Sequence, residues 1–178
     1  MKILVDADSV PCQIRAIILK AARKRRLTIL FVADRHLKDV DLAYQEDTAE
    51  LRKEAREKNG EMNSRSLRAI RSKIRWETVV TGENSADDRL VESAEAGDLA
   101  ITHDIPLAAR LADKGCTVLD DRGGTYDKDT IARRLSERNL MTELRSYGIQ
   151  SEKTKSYGER EVRLFSQAFV TQLDRMQQ

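Results

Sequence analysis

An α/β fold on a mostly parallel sheet is what this sequence predicts, and three observations predict it. Short apolar runs rich in β-branched residues alternate along the chain with helical patterns. The first run, Ile3-Leu4-Val5, leads straight into the acids Asp6 and Asp8, and acids also follow or flank the later runs. No internal repeat or low-complexity tract interrupts the alternation. Strand then helix, repeated, gives a parallel sheet covered on both faces. At 178 residues the chain suits one domain with decorations.

Strands are expected at residues 2–6, 28–33, 78–81, 99–102 and 116–119, about five in all. A helix over 11–26 places Ile14, Ile17, Ile18 and Ala21 at the i, i+3, i+4, i+7 spacing of one buried face. Helices also fit 86–96, 106–114 (stopped by Gly115), 128–138, 140–147 and 159–176, with a polar loop at 150–157 before the last. The segment 35–76 carries no convincing strand and reads as an inserted helical hairpin, 42–58 and 62–75, turning at Asn59-Gly60. In its second arm Arg65, Arg68 and Arg75 share one face, either a solvated surface or a phosphate-contacting arm.

Composition narrows the function classes. Basic and acidic residues nearly balance, 32 against 30, so the net charge of +2 is no polyanion-binding signature and any basic surface must be local. Cys12 and Cys116 have no metal-ligand or disulfide spacing. No apolar run approaches a membrane span, and Asp6 interrupts the first one too early for a signal peptide, so a cytoplasmic protein is expected. Aromatic residues are 4% of the chain, which disfavours a row of base-stacking rings.

Ligands of doubly wound sheets collect beyond the carboxyl ends of the strands. Asp6 and Asp8 follow the first strand, Asp87 and Asp88 open the helix after the third, Asp104 follows the fourth, and Asp120 and Asp121 follow the fifth. Helix capping accounts for several of them singly: Asp8 or Ser9 before Pro11, Ser85 with Asp88, and Asp104 before Pro106. Capping explains neither Asp6 nor the crowding of like charges on one edge. A hard divalent cation, Mg²⁺ or Mn²⁺, relieves that repulsion, and no Cys/His cluster favours zinc.

The stretches "ILVDADS", "ILFVA", "SADDRLVESAEAGDLAITHDIPLAARLADKG" and "RLFSQAFVTQLD" resemble the YaiI/YqxD family of bacterial proteins, a branch of the PIN-like nuclease superfamily. The resemblance covers residues 1–34 and 78–176 and leaves 35–76 without a counterpart. It implies a PIN-like three-layer α/β/α sandwich with strand order 3-2-1-4-5. It also implies an acidic pocket of Asp6, Asp87 or Asp88, and Asp104, with Asp8 and Asp120 as peripheral metal ligands. Three departures stand out: the cysteine of "DADSVPC" follows the proline, Asn84 stands where an acid is common, and Asp120-Asp121-Arg122-Gly123 replaces Asn-Pro-Arg-Gly.

The chemistry implied is metal-assisted phosphodiester hydrolysis, with nucleic acid, RNA favoured, held by backbone contacts. Arg122 and His103 are candidate phosphate contacts, though a turn is the simpler account of the first and an exposed loop position of the second. No membrane partner is expected, and self-association into a homo-oligomer is left open. Two rivals stand. "VDADSV" also resembles the opening of haloacid-dehalogenase-type phosphatases, which need a lysine before a later acidic pair, and Lys73 is poorly spaced for that. A non-catalytic metal- and RNA-binding protein is the other.

Overall fold

The computed structural model of the chain describes residues 1–79, 85–147 and 157–176. Among these residues six strands, β1 (Ile3–Asp6), β2 (Ile29–Ala33), β3 (Ile74–Thr78), β4 (Leu99–Ile101), β5 (Thr117–Leu119) and β6 (Thr125–Tyr126), form one sheet in the order β3-β2-β1-β4-β5-β6. Strands one to five are parallel, in the expected order, and the two-residue β6 adds on antiparallel to β5.

Among the described residues, seven helices accompany them: α1 (Cys12–Arg25), α2 (Lys38–Asn59), α3 (Ser64–Ala69), α4 (Ser85–Ser93), α5 (Ile105–Asp113), α6 (Lys128–Ser146) and α7 (Glu159–Met176). The sheet separates two cores, because successive side chains of a strand point to opposite faces. Ile3 and Val5 of β1 join Phe31, Ile14, Ile18, Val40, Phe165 and Phe169 on the side of α1, α2 and α7. Leu4 joins Val32, Ala100, Val118, Leu90, Leu107, Leu111 and Ile131 on the side of α4, α5 and α6. The result is a three-layer α/β/α arrangement.

The third strand is where the sequence reading misses. It begins at Ile74, not 78, and the expected second arm of the hairpin shrinks to the six residues of α3. Arg75 therefore sits on an edge strand, away from the helix that carries Arg65 and Arg68. Period-two alternation hides this strand: Ile74 is buried, Arg75 is exposed, and Trp76 packs edge-on against Tyr44 of α2 with ring centroids 5.5 Å apart. A search for continuous apolar runs passes over such a strand. The two helices do turn at Gly60, whose φ of +71° follows α2, and α2 is a crossover helix that buries Val40 and Ala43 against the sheet.

Two smaller differences concern helices. The expected pair at 128–138 and 140–147 is the single helix α6, uninterrupted at Asn139. The N-cap of α1 is Pro11, with no side-chain cap bond, so neither Asp8 nor Ser9 caps it. Asp104 does cap α5, its Oδ1 accepting the Leu107 N–H at 2.9 Å. Residues 80 and 81 of the expected third strand, Asn84 and most of the expected 150–157 loop lie outside the described residues, as does the Ser85 side chain of the proposed cap pairing.

Phe165 and Phe169, one turn apart on α7, are fully buried and stacked with centroids 5.4 Å apart. Truncating Phe165 leaves a ring-sized cavity, so Phe165→Ala is expected to lower stability by about 3–5 kcal/mol in urea denaturation. A loss below about 1 kcal/mol would mean that α7 does not close this core.

Candidate acidic site

Because β1 and β4 are parallel neighbours, their carboxyl ends deliver Asp6 and the Thr102-His103-Asp104 corner to the same place. Asp6 is only 5% exposed. Its Oδ2 accepts the Thr102 hydroxyl at 2.7 Å, and its Oδ1 faces the Ser9 N–H at 3.4 Å. Thr102, itself fully buried, also accepts the Asp104 N–H at 3.0 Å, so one hydroxyl fixes both acids. Ser9 completes the corner by accepting the His103 N–H at 3.1 Å.

The sequence leaves Asp87 and Asp88 interchangeable, and the structure separates them. Asp88 is exposed and bound to Arg110 at 2.6 Å. Asp87 is half-buried, with the charges of Asp6 and Asp104 nearby: burial, and then those two charges, push its carboxyl up to about 6, with Arg110 opposing only in part. Asp6, Asp87 and Asp104, from β1, α4 and the start of α5, thus form one group of carboxylates whose negative potential is offset only in part. Beside it a cleft of about 300 Å³ is lined by Ser9, His103, Asp104, Ile105 and Arg138.

Asp120 and Asp121 belong to a different cluster. Among the described residues, the set of ligating groups lying within 4.8 Å of one another is His103, Asp120 and Asp121. His103 Nδ1 lies 3.1 Å from Asp120 and 2.9 Å from Asp121, and Arg134 reaches the other oxygen of Asp120 at 3.0 Å. Bonds to Asp120 and then Asp121 raise His103 to about 10, so it is an imidazolium at neutral pH. Burial works against the charge of Asp120, yet His103, Asp121 and Arg134 together hold its carboxyl well below the ordinary range. Two cations face two carboxylates, so this cluster is neutral as it stands. A metal there must first displace a proton from His103, because coordination needs the free nitrogen.

The Asp6, Asp87 and Asp104 group is wider than 4.8 Å and all-oxygen, a donor set that fits a hard cation retaining part of its water shell. Asp8 turns away from it, accepting the Asp34 N–H at 2.7 Å and facing Arg35 at 3.5 Å. Arg122 stacks on Tyr157, 5.7 Å from the ring centroid, and its turn ends at Gly123 with φ +87°. A Cβ on Gly123 would stand 2.6 Å from the backbone of Leu164, so this glycine lets the loop bearing Asp120 and Asp121 lie directly on α7.

The hairpin arginines Arg65 and Arg68 lie at the other end of the sheet. Since β3 runs parallel to β2, the α3 helix that precedes it, with Arg65 and Arg68, leads into the amino edge of the sheet, opposite the acids. The Arg23 to Arg26 run at the end of α1 precedes β2 on that same edge, and Arg23, Arg25 and Arg26 pair with Glu46, Glu50, Asp174, Asp47 and Glu54. The basic wall of the acidic cleft is instead α6: Arg138 stands 4.0 Å from Asp104 Oδ2. Its signal was the arginine spacing Arg134, Arg138, Arg145 on one helical face, masked by the expected break at Asn139.

Fold and site together define an α/β protein with an acidic cleft at the carboxyl edge of a parallel sheet. The chain belongs to the YaiI/YqxD family, whose profile, described as "Uncharacterized BCR, YaiI/YqxD family", matches residues 61–176. A curated relative from Treponema denticola, named only UPF0178 protein, is 37% identical over 169 residues, covering 93% of this chain and 87% of its own. Relatives of the same name from Pseudomonas putida and Burkholderia lata are 36% and 34% identical, covering 99% and 98% of this chain and 95% of theirs. The profile match opens before α3, and the relatives' matches take in nearly the whole chain. Of the 35–76 segment, the profile match takes in residues 61–76. No solved structure matches the chain. No helix among the described residues is long and apolar enough to cross a membrane.

The raised Asp87 carboxyl fixes a sign for pH dependence. With a folded value of about 6 against an ordinary 3.8, the folded state holds the Asp87 proton more tightly than the unfolded chain does. Between those values stability falls as pH rises, and above about 6 the full penalty is present. Metal-free Asp87→Asn is therefore expected to gain thermal stability relative to wild type as pH goes from 4 to 7. A difference between the two melting temperatures that stays constant across that range would contradict the placement of Asp87.

Proposed function

We propose that this cleft is a phosphodiester-hydrolysing site and that the protein is a Mg²⁺- or Mn²⁺-dependent nuclease, with RNA the favoured substrate. The observation that carries the reading is the convergence of Asp6, Asp87 and Asp104, whose mutual repulsion is felt at Asp87. The preference for RNA rests on the resemblance of the motifs to the PIN-like superfamily.

In this reading Asp6, Asp87 and Asp104 hold the cation. A bound divalent ion supplies a water of lowered pKa and offsets charge developing on the scissile phosphate. Thr102 and Ser9 keep Asp6 and the His103-Asp104 corner in register. Arg138, 4.0 Å from Asp104, is placed to meet a phosphate oxygen. His103 also lines the cleft, with its charge already matched by Asp120 and Asp121.

The phosphatase rival loses its lysine. The Lys73 carbonyl accepts the Ile29 N–H at the start of β2, so Lys73 stands at the amino edge of the sheet while Asp6 ends β1 at the carboxyl edge. A metal- and RNA-binding protein without turnover is the remaining alternative, and the same assay separates it.

End-labelled single-stranded RNA is expected to be cut in Mn²⁺ or Mg²⁺ and not in EDTA. Asp6→Asn and Asp87→Asn should lose at least about 100-fold, the scale of removing a stabilising group from a transition state. Asp88→Asn, outside the cleft, should lose less than about tenfold. Mn²⁺ binding by calorimetry with no cutting by any form would replace the nuclease reading with the non-catalytic one.

A further inference from the structure

The cleft at Asp104 does not end there. A groove of about 470 Å³ runs on from it along α6, and the two share Ile105 and Arg138 in their walls. We infer that this α6 groove is the track that holds the sugar-phosphate backbone of a single-stranded nucleic acid as it leaves the acidic cleft. The inference rests on the acidic cleft being the reaction site and adds where the strand lies.

Charge supports it. The groove wall carries Arg133, Arg134, Arg138 and Arg145 against one acid, Glu137. Arg133 is paired with Glu137 at 3.2 Å and Arg134 with Asp120 at 3.0 Å. Arg138 and Arg145 are left as surplus cations; Arg138 has only the 4.0 Å approach to Asp104, and Arg145 has no ion-pair partner among the described residues. They stand seven residues apart on one helix face, about 10.5 Å along the axis, a spacing at which successive phosphates of a polyanion can engage both.

The lining suits a single strand, whose sugars and unpaired bases are open to contact. The groove is walled by α6 and by Ile105 in the first turn of α5. Met141, 39% exposed, and Ile105 sit between the arginines and give sugar or base an apolar surface, while the guanidinium groups take the phosphates. Arg65 and Arg68, the exposed arginines the sequence groups on one helix face, lie on α3, which leads into the amino edge of the sheet, where a strand seated at Asp104 does not pass.

The test reads binding without turnover. Fluorescence anisotropy with a labelled single-stranded RNA oligonucleotide, in EDTA, compares the full-length wild type with Arg138→Gln/Arg145→Gln, Arg145→Gln alone and Arg65→Gln/Arg68→Gln. The groove double variant is expected to raise Kd about tenfold or more and to reduce the slope of log K against log salt by about 1.4, or roughly 0.7 per lost phosphate contact. Arg145→Gln, distant from Asp104, should give about half of that slope change, and the α3 variant should bind within about twofold of wild type. Wild-type binding that is undetectable, unaffected by the groove variant, as weak in the α3 variant, or equally strong for duplex through the same arginines would overturn the track. Binding lost as expected in the groove variant, with no metal-dependent cutting by wild type, leaves the track standing and removes the nuclease reading.

Discussion

One hydroxyl organises the carboxyl edge of the sheet. Thr102, buried just past the end of β4, donates to Asp6 Oδ2 at 2.7 Å and accepts from the Asp104 backbone at 3.0 Å. A carboxylate buried at the end of a central strand is costly unless its oxygens are bonded. Here strand pairing supplies the donor, because β4 lies beside β1 and ends at the same level. Removing that bond would expose Asp6 to burial without compensation and free the Asp104 corner at the same time. The same link also sets the direction in which α5 starts, since Asp104 caps that helix through Leu107.

From this fixed pair follows a division of charge along the edge. Asp6, Asp104 and Asp87 face one another with little relief, while Asp120 and Asp121 are matched by His103 and Arg134. Compactness alone favours the second set as a cation site. Electrostatics favours the first, since the ions already present in the second hold its charge at balance and the first is left in need of positive charge. A site that gains most when a cation arrives is also one that is destabilised without it, which is the state the raised Asp87 carboxyl reports.

Much of this was legible in the sequence because two separate regularities coincide: apolar runs mark strands, and the acids follow those runs. The strand order, and with it the nearness of Asp6 to Asp104, is what the family resemblance implies rather than what those runs show, and the sheet has that order for strands one to five. The charged edge strand β3 was not legible as a strand, since Arg75 and Glu77 alternate with Ile74 and Trp76 and no apolar run appears. That one miss lengthened α3, put Arg75 on a helix face, and drew attention to arginines that the parallel β2-β3 pairing sends to the opposite edge. The choice of Asp87 over Asp88 was beyond sequence too, because adjacent positions on a helix differ by about 100° in direction and only packing says which faces inward. The arginines of α6 were passed over for a local reason: a break expected at Asn139 divided a face that the continuous helix keeps whole.

The central claim, that the carboxylates of Asp6, Asp87 and Asp104 are arranged around a place for a divalent cation, is tested most directly by anomalous diffraction from crystals soaked in Mn²⁺. An anomalous peak is expected at coordination distance from oxygens of this group, lost in Asp6→Asn. A peak seated instead on His103, Asp120 and Asp121, or no peak when calorimetry shows Mn²⁺ bound, would contradict it.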